Sequence, residues 1–315
     1  MLVSIIFQLK NLKENYNLVF YGMEIFNTYT LINEQTGNLA FKLFPIEGNC
    51  QFDNINRYNY YSLVWIKKGG GIAKIDFTEY NFTQDTMFAI TPYQPFMFIE
   101  KERLEGVVLN FHPDFFCIHK HHKQVACNGV LFNNIYNPPM LCIGDDSRKD
   151  FEMLISQMKT EVQKSDLAQN ELIISYLKIF LINASRTKVQ QQPEVLAKVP
   201  DGKEPFKLQK LKNLIETHYK TKHSASEYAE LLNISPKALA KITKNHFNKT
   251  LTNLISERII IEAKRELYLT NKSVKEIAYM LGYDDEHYFS RFFKNKADIS
   301  PTIYRETVGF ARANS

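Results

Sequence analysis

The first hydrophobic pattern along the chain is a series of short runs between residues 39 and 111. The runs are rich in aromatic and β-branched residues: LAFKLF, YYSLVWI, IAKIDF, MFAIT, FMFI and VVLNF. Turn-forming residues separate them, namely Gly69-Gly70-Gly71, Thr91-Pro92 and Gln94-Pro95. Closely spaced strands with such turns are typical of a β-sandwich or a small barrel. We therefore predict an all-β module.

The second pattern is helical and follows this module. A helix is predicted over about 147–163, capped by Asp146-Ser147, with an apolar stripe through Phe151, Leu154, Ile155 and Met158. A second helix is predicted over about 167–186, and its broad apolar face comprises Leu172, Ile173, Tyr176, Leu177, Phe180 and Leu181. Two interpretations stay open: both helices pack on the β-module, or one apolar face forms the seam of a homodimer.

A linker separates these elements from the rest of the chain. Residues 188–205 contain a Gln run, three prolines and an Asp-Gly pair, without a sustained apolar period. We predict a β-domain over 1–145, a helical dimerisation segment over 146–187, this linker, and a second domain over 206–310.

The second domain contains an internal repeat. Three residues recur at an offset of 49 and two more at an offset of 50: Glu227/Glu276, Ala229/Ala278, Leu232/Leu281, Lys244/Lys294 and Asn248/Asp298. A duplicated unit of this size, with a small alanine where two helices approach closely, predicts two helix-turn-helix copies.

Each copy carries signals for the start of a helix, a turn and a second helix. The first helix follows a serine cap, Ser224 or Ser273, and the turn falls at Asn233 or Gly282, which tolerate a left-handed backbone. The second helix starts at Ser235-Pro236 in one copy and at an Asp284 cap in the other. The core of the latter helix is predicted to be Tyr288, Phe289, Phe292 and Phe293.

A long amphipathic helix is predicted between the copies, over 251–270. Its stripe runs through Leu254, Ile255, Ile259, Ala263 and Leu267. Such a helix would hold the two units in a fixed relation. Two recognition helices about one helical repeat of DNA apart can enter successive major-groove segments.

The formal charge supports this interpretation once it is divided by position. The chain as a whole carries +5, but residues 206–315 hold 19 Lys and Arg against 12 Asp and Glu. The preceding residues are slightly acidic, with 20 basic against 22 acidic side chains. The excess positive charge therefore belongs to the duplicated helices, which favours DNA as their partner.

A cluster of cysteine and histidine residues offers a different class of function, a metal- or redox-responsive module. Its members are Cys117, His119, His121, His122 and Cys127. On one helix they would occupy two faces, so a single tetrahedral site needs a break in the helix. The alternative is surface imidazoles beside buried thiols that pack as small hydrophobes, and we expect no metal and no cofactor.

Residues Ala278–Arg305 resemble the C-terminal signature of the AraC/XylS transcription regulators, and the resemblance extends over about 206–308. It implies that the second domain is a tandem helix-turn-helix domain that reads DNA sequence. The base-reading residues that it implies are Lys237, Ala240, Lys241, Glu286, His287, Ser290 and Arg291. Where the family has Gly, this chain has Asn248 and Asp298, which also tolerate a left-handed helix end.

The chemistry of these side chains suits their implied roles. Arg291 can donate two hydrogen bonds to guanine, Lys241 can do so less rigidly, and Ala240 can touch a thymine methyl. The alternative for Arg291 is an intramolecular pair with one of the acids at 284–286. Contacts to phosphate, which position the protein without reading sequence, are assigned to Lys244, Lys249, Lys294 and Arg305.

A weaker resemblance relates the N-terminal half to the cupin-type sensor of the same family. It implies a barrel that holds a small effector or serves as a dimerisation scaffold. Its candidate pocket residues, which equally suit a plain core, are Trp65, Phe88, Tyr93 and Phe98. The histidine pair of metal-binding cupins is absent from GIAKID at residues 71–76, so a cupin enzyme is disfavoured.

These observations combine into one expectation. The fold class is an α+β multidomain protein: a cupin-like β-sandwich or barrel with a helical appendage, followed by an all-α tandem helix-turn-helix domain. The function is a sequence-specific transcription regulator, an activator and homodimer, rather than an enzyme. Its expected partners are promoter or operator DNA, RNA polymerase and a small-molecule effector. The sequence has no signal-peptide pattern and no membrane-length apolar stretch, so a cytoplasmic location is expected, without membrane contact.

Overall fold

The structure of the protein is a computed structural model, which describes residues 28–33, 37, 39–48, 52–76, 78–121, 125, 129–164, 166–191 and 204–308. The described chain has a β-rich N-terminal region and a helical C-terminal region. The strands are β1 (Tyr29–Ile32), β2 (Leu39–Glu47), β3 (Tyr61–Lys68), β4 (Gly71–Ile75), β5 (Thr78–Phe82), β6 (Thr86–Ile90), β7 (Phe96–Glu100), β8 (Glu105–Phe111) and β9 (Met140–Cys142). The helices are α1 (Asp145–Val162), α2 (Gln169–Gln191), α3 (Glu204–His218), α4 (Ala225–Leu231), α5 (Pro236–Phe247), α6 (Leu251–Leu269), α7 (Val274–Met280), α8 (Glu286–Ala297) and α9 (Pro301–Val308).

The strands form two antiparallel sheets that pack face to face. The larger sheet has the order β1-β2-β8-β3-β6-β9, and the smaller one has the order β5-β4-β7. Phe88 of the larger sheet meets Phe98 of the smaller one, with ring centroids 5.0 Å apart. This confirms the predicted β-sandwich, and all six predicted runs are strands in it.

The larger sheet is covered on both faces, which explains its continuous hydrophobicity. In β3, Val64 and Ile66 belong to the core between the sheets, whereas Leu63 and Trp65 belong to a second core with α1 and α2. Residues 61–66 of this strand are therefore all buried. A strand buried on both faces loses the alternation of a half-exposed strand.

Helices α1 and α2 pack on the β-module through the stripes predicted for them. Phe151 lies edge-on to Trp65 with ring centroids 6.1 Å apart, and Phe180 lies 4.8 Å from Phe151. The start of α1 differs from the prediction, because Gly144 is its N-cap and Asp146 lies in the first turn. An acidic side chain there interacts favourably with the helix dipole. Helix α2 continues to Gln191, past the predicted boundary at residue 187.

A further hydrophobic core gathers α3 to α9 of the C-terminal region, together with Cys117 and Ile135 of the N-terminal region. Leu211 and Ile215 of α3, Leu254 of α6 and Phe293 of α8 are all fully buried in it. Helix α3 is also fixed to α6 by polar contacts, since Arg258 Nε donates to Glu216 Oε2 at 2.8 Å. The long helix predicted over 251–270 is confirmed as α6.

Candidate nucleic-acid interface

The two helix-turn-helix copies start with the same hydrogen-bonded cap. In α4, the Ser224 hydroxyl accepts from the Glu227 N–H while the Glu227 carboxylate accepts from the Ser224 N–H. Ser273 and Glu276 repeat this capping box in α7. Hydrogen bonds from the Ser224 side chain and backbone lower the pKa of Glu227. Both predicted serine caps are thus confirmed, and each is a reciprocal pair.

The turns between the helices also match. Asn233 has φ 53° and Gly282 has φ 83°, so both occupy the left-handed region that the sequence predicted. Gly282 is under a second constraint: a Cβ atom at this position would lie 1.9 Å from the backbone oxygen of Lys220. The second turn therefore requires glycine for space as well as for backbone conformation.

The second helix of each copy, α5 or α8, begins at a side-chain cap. Ser235 caps α5 by accepting from the Ala238 N–H, with a proline in the first turn. In α8 the cap is Asp285, which accepts from the Tyr288 N–H at 2.5 Å. The prediction of Asp284 was one residue too early, because only Asp285 has its carboxylate on the N–H groups of the first turn.

Helices α5 and α8 both end in a left-handed residue. Asn248 has φ 52° and Asp298 has φ 66°, and the backbone N–H of each donates to the carbonyl of the lysine four residues earlier. The replacement of the family's glycines therefore leaves both helix ends intact, as predicted. Short polar side chains tolerate this conformation better than other non-glycine residues.

The residues predicted to read bases form equivalent stripes on the two helices, together with Lys244 and Lys294, which are predicted to contact phosphate. Lys237, Ala240, Lys241 and Lys244 of α5 occupy the same repeat positions as His287, Ser290, Arg291 and Lys294 of α8. The spacing i, i+3, i+4, i+7 puts each set on one helix face. Seven of these eight side chains are exposed, and Ser290 is half-buried. Glu286 lies beside the second stripe and is also half-buried.

The opposite face of each helix is anchored in the core at equivalent positions. Leu239 and Thr243 of α5 are buried, as are Phe289 and Phe293 of α8, each at 1% exposure or less. Packing at both ends of the buried face fixes the rotation of each helix about its own axis. The two stripes consequently present a defined surface to a partner.

Arg291 and Tyr288 complete the surface of α8. Within the part of the chain that the structure describes, Arg291 forms no ion pair with Asp284, Asp285 or Glu286. The alternative of an internal pair is therefore not realised in this structure.

Tyr288 was predicted to be core, but it is 58% exposed. It lies three residues before Arg291, so it adds an aromatic ring to the same region of the surface.

Two of the four lysine and arginine residues assigned to phosphate already have partners inside the protein. Lys249 Nζ lies 2.7 Å from Glu257 Oε2, and Arg305 Nε donates to the Leu267 carbonyl at 3.1 Å. Lys244 and Lys294 are exposed. A phosphate contact by Lys249 would first require the Glu257 pair to open.

The four candidate effector residues lie in three places. Trp65 packs against α1, Phe88 and Phe98 lie between the sheets, and Tyr93 lies against Tyr304 of α9 with ring centroids 5.6 Å apart. The first three are at most 2% exposed. Local sequence patterns had no means of separating these locations, because aromatic residues occupy all of them.

The described members of the cysteine and histidine cluster do not converge on a metal site. Cys117 is buried, and its sulfur accepts from the Lys120 N–H at 3.4 Å. The His121 ring stacks on Phe116 with centroids 5.0 Å apart. Across the described residues, no group of three His, Cys, Asp or Glu side chains is placed to hold a metal ion. His122 and Cys127 lie outside the described residues.

Comparisons with known proteins identify the helical region. Residues 228–307 match the family model described as "Helix-turn-helix domain". The raffinose operon transcriptional regulatory protein RafR of Pediococcus pentosaceus is 33% identical over 95 residues, 30% of this chain and 34% of RafR. This chain thus spans about a third of that relative's length.

Two further proteins resemble a larger part of the chain. The HTH-type transcriptional activator RhaS of Enterobacter sp. is 21% identical over 255 residues, 80% of this chain and 87% of RhaS. The crystal structure of ToxT from Vibrio cholerae O395 covers 90% of this chain and 97% of its own, with 16% identity and a TM-score of 0.38.

The described part of the chain contains no helix of the length and apolar character needed to cross a membrane. The helical region has two capped helix pairs, matched turns and two equivalent exposed stripes. These features coincide with the residues of the family match. Residues 228–307, in the C-terminal third of the chain, therefore form a helix-turn-helix domain of the AraC type.

Proposed function

We propose that this protein is a sequence-specific transcription regulator that inserts α5 and α8 into two successive major-groove segments of one operator. The observation that supports it most strongly is the equivalence of the two stripes, from Lys237 to Lys244 and from His287 to Lys294. Two solvated basic helices with unrelated surfaces would not place their exposed residues at the same repeat positions. We assign the protein to the cytoplasm, as an activator that contacts RNA polymerase, and assign it no enzymatic activity.

The connection between the helices supports simultaneous binding. Helix α6 has 19 residues, which corresponds to a length of about 28 Å. This is comparable with the roughly 34 Å that separates equivalent major-groove positions on one face of DNA. Because α6 is packed in the same core as α5 and α8, it limits the freedom of one unit relative to the other.

The side chains of the two stripes suit different parts of the DNA, some the bases and others the phosphates. Arg291 suits guanine, and Lys241 suits guanine with less geometric restraint. Ala240 suits the methyl group of thymine, while Glu286 suits the amino group of cytosine. Lys244 and Lys294 lie one turn further along their helices and suit phosphate oxygens, which fix the register of the protein on DNA.

The proposal is tested by selecting an operator from random DNA with the full chain and then measuring affinity by fluorescence anisotropy. Arg291→Ala is expected to relax one base position at a loss of about 1–3 kcal/mol. Lys294→Ala is expected to weaken all sequences alike and to reduce the salt slope by about one. Lys149→Ala, which removes an exposed lysine of α1, is the control.

The outcomes separate base reading from charge. An Arg291→Ala protein with the affinity and footprint of the unchanged chain would remove the base-reading assignment. A Lys149→Ala protein that loses as much affinity as Lys294→Ala would mean that total charge, and not the recognition stripe, determines binding.

A further inference from the structure

The two helix-turn-helix units touch each other directly, in addition to being joined by α6. The entry loop of the first unit, residues 219–224 between α3 and α4, lies against the turn of the second unit at Gly282 and Tyr283. The approach is close, because a Cβ atom on Gly282 would lie 1.9 Å from the Lys220 oxygen and 3.4 Å from His223 Cε1. The entry loop therefore occupies the space directly beside the turn that leads into α8.

His223 is the side chain of the entry loop that makes the contact between rings. It is half-buried, and its ring lies 5.2 Å from that of Tyr283 between centroids, with the two planes inclined by 31°. Its Nε2 atom is buried and has no hydrogen-bond partner among the described residues. Packing against Tyr283, rather than a hydrogen bond from this nitrogen, therefore holds the imidazole ring.

Tyr283 connects this contact to the recognition helix of the second unit. Its ring centroid lies 5.3 Å from that of Phe289 and 5.3 Å from that of Phe292, both in α8. Phe289 is fully buried and belongs to the face of α8 that is turned away from Arg291. Because packed side chains transmit a displacement to their neighbours, the position of His223 influences the position of α8.

The entry loop is itself fixed to both helices that flank it in the first unit. The Lys222 N–H donates to the His218 carbonyl at the end of α3 at 2.8 Å. The Lys222 carbonyl accepts from the hydroxyl of Tyr228 in α4 at 3.2 Å, and Tyr228 is fully buried. A displacement of the loop would break bonds to α3 and α4, so the loop belongs to the first unit as a rigid part.

The repeat shows that this contact is particular to one side of the domain. At the offset of 49 residues, Gly282 is equivalent to Asn233, and His223 is equivalent to Lys272. Asn233 carries a side chain in its turn, and Lys272 instead pairs with Glu266 at 2.7 Å. Residues that both copies share build each unit, whereas His223 and Gly282 differ between the copies and meet where the units touch.

We infer that His223 is a positioning residue that holds α8 at a fixed distance and rotation relative to α5. Helix α6 connects the two units along the chain, and the contact of His223 with Tyr283 connects them a second time through space. Two separate connections restrict the rotation of one unit against the other more than one connection does. The inference rests on the proposed function, because this restriction affects binding only when α5 and α8 occupy the same DNA molecule.

The test measures how strictly the full chain requires the spacing of its operator. One base pair is added or removed between the positions read by α5 and α8 in the selected operator, and affinity is measured by fluorescence anisotropy. One base pair shifts the second position by about 3.4 Å and rotates it by about 35° around the DNA axis. For the unchanged chain we expect either altered spacing to weaken binding at least tenfold, and this factor is the spacing penalty.

Three variants separate positioning from a general effect on the fold. His223→Ala is expected to reduce the spacing penalty at least threefold, because α8 can then adjust its position. His223→Phe is expected to restore the penalty, because it keeps a ring on Tyr283 and Nε2 has no described partner to lose. Thr221→Ala, at an exposed residue of the same loop, should leave the penalty unchanged. His223→Asn, which also lacks an aromatic ring, replaces His223→Ala if that variant does not fold.

A merely structural role of His223 predicts a different result. It would weaken binding by the same factor at every spacing and would leave the spacing penalty as it is. A penalty that is equal in His223→Ala and the unchanged chain therefore overturns the inference. Failure of His223→Phe to restore the penalty, or equal binding of all three spacings by the unchanged chain, also overturns it.

Hydrogen exchange without DNA separates this inference from the proposed function. The N–H groups of Gly282 and Tyr283 donate to the carbonyls of Tyr279 and Ala278, and their exchange should be at least fivefold faster in His223→Ala but unchanged in His223→Phe. If no preparation binds an operator, the proposed function fails, and faster exchange supports the contact whereas equal exchange overturns it. If the unchanged chain binds its operator and His223→Ala keeps the full spacing penalty, the proposed function stands and the positioning role of His223 fails.

Discussion

Tyr93 of the β-module and Thr307 of α9 are joined by a hydrogen bond, with their hydroxyl oxygens 2.5 Å apart. The Thr307 hydroxyl also donates to the Ile303 carbonyl, so the Tyr93 hydroxyl is the donor across the domain boundary. Asn59 and His112 of the β-module both contact the Thr307 carbonyl oxygen. Thr307 of the last described helix therefore makes three polar contacts with the β-module.

We predict that Tyr93→Phe loosens α9 without unfolding the protein. The change removes one interdomain hydrogen bond, which contributes about 1 kcal/mol, and leaves the contact between the Tyr93 and Tyr304 rings in place. Hydrogen exchange should quicken in α9. The control is Tyr58→Phe, which removes a hydrogen bond to Asn56 inside the β-module. Equal exchange in α9 for both variants would show that Tyr93 does not hold the interface.

We predict that Gly282→Ala destabilises the helix-turn-helix domain by more than about 2 kcal/mol. An alanine there has an unfavourable left-handed backbone and a Cβ atom against the Lys220 oxygen. Gly129→Ala is the matched control, because Gly129 has φ 80° and no atom within 4 Å of the added Cβ. It isolates the backbone effect, about 1 kcal/mol. Chemical denaturation gives both values; equal losses would contradict the steric account of the turn.

Lys188 predicts a specific pH dependence of stability. Its side chain is 3% exposed and donates to the Pro138 carbonyl at 2.8 Å, and burial lowers its pKa to about 8. The unfolded chain, with a lysine pKa of about 10.4, therefore binds more protons than the folded chain between these values. As the pH rises from about 8 to about 10.4, Lys188 should therefore increase the free energy of unfolding by on the order of 1–3 kcal/mol.

Lys264 also has a pKa of about 8, so the pH dependence of the unchanged chain contains contributions from both lysines. A comparison of two variants isolates the contribution of Lys188. The free energy of unfolding of Lys188→Met, relative to that of the unchanged chain, should be higher at pH 7 than at pH 10. For Lys149→Met the same difference should be constant over this range. A difference between Lys188→Met and the unchanged chain that does not vary with pH would exclude the assigned pKa.

The face of α2 that remains exposed leads to a prediction about assembly. Most of the apolar face predicted for α2 packs on the β-module, but Leu172 of that face is 40% exposed. Ile179, which was not part of the predicted face, is 46% exposed. They are two turns apart on one face. We propose that this face forms a homodimer, so that sedimentation velocity finds a dimer for the unchanged chain and a monomer for Ile179→Lys. Ile55→Lys, at another exposed isoleucine, should remain dimeric; a monomeric unchanged chain would contradict the proposal.

The duplicated domain was predictable because its signals are local. Capping serines, a left-handed turn residue and an apolar stripe all act within a few residues of one another. Each signal occurs twice because the unit is repeated. Ser273 supports the prediction of a helix cap at Ser224, and Gly282 supports the prediction of a turn at Asn233. Small errors remained where two equivalent candidates adjoin, as with Asp284 and Asp285.

Features that depend on contacts between distant segments were not predictable in the same way. Helix α3 contains Leu208, Leu211 and Ile215 at helical spacing, but its start adjoins a linker-like composition and it was not predicted. The short strands β1, β5 and β9 take their conformation from partner strands. The approach of Lys264 to Pro92 depends on the packing of two domains, for which a single sequence has no local pattern.

The central claim is that α5 and α8 read two different segments of one operator at the same time. The most direct measurement is a base-by-base specificity profile of the full chain, of Lys241→Ala and of Arg291→Ala on the selected operator. Each variant should relax a single base position, and the two positions should be about 10 base pairs apart on one face of the DNA. Loss of specificity at the same position in both variants, or at none in either, would contradict the claim.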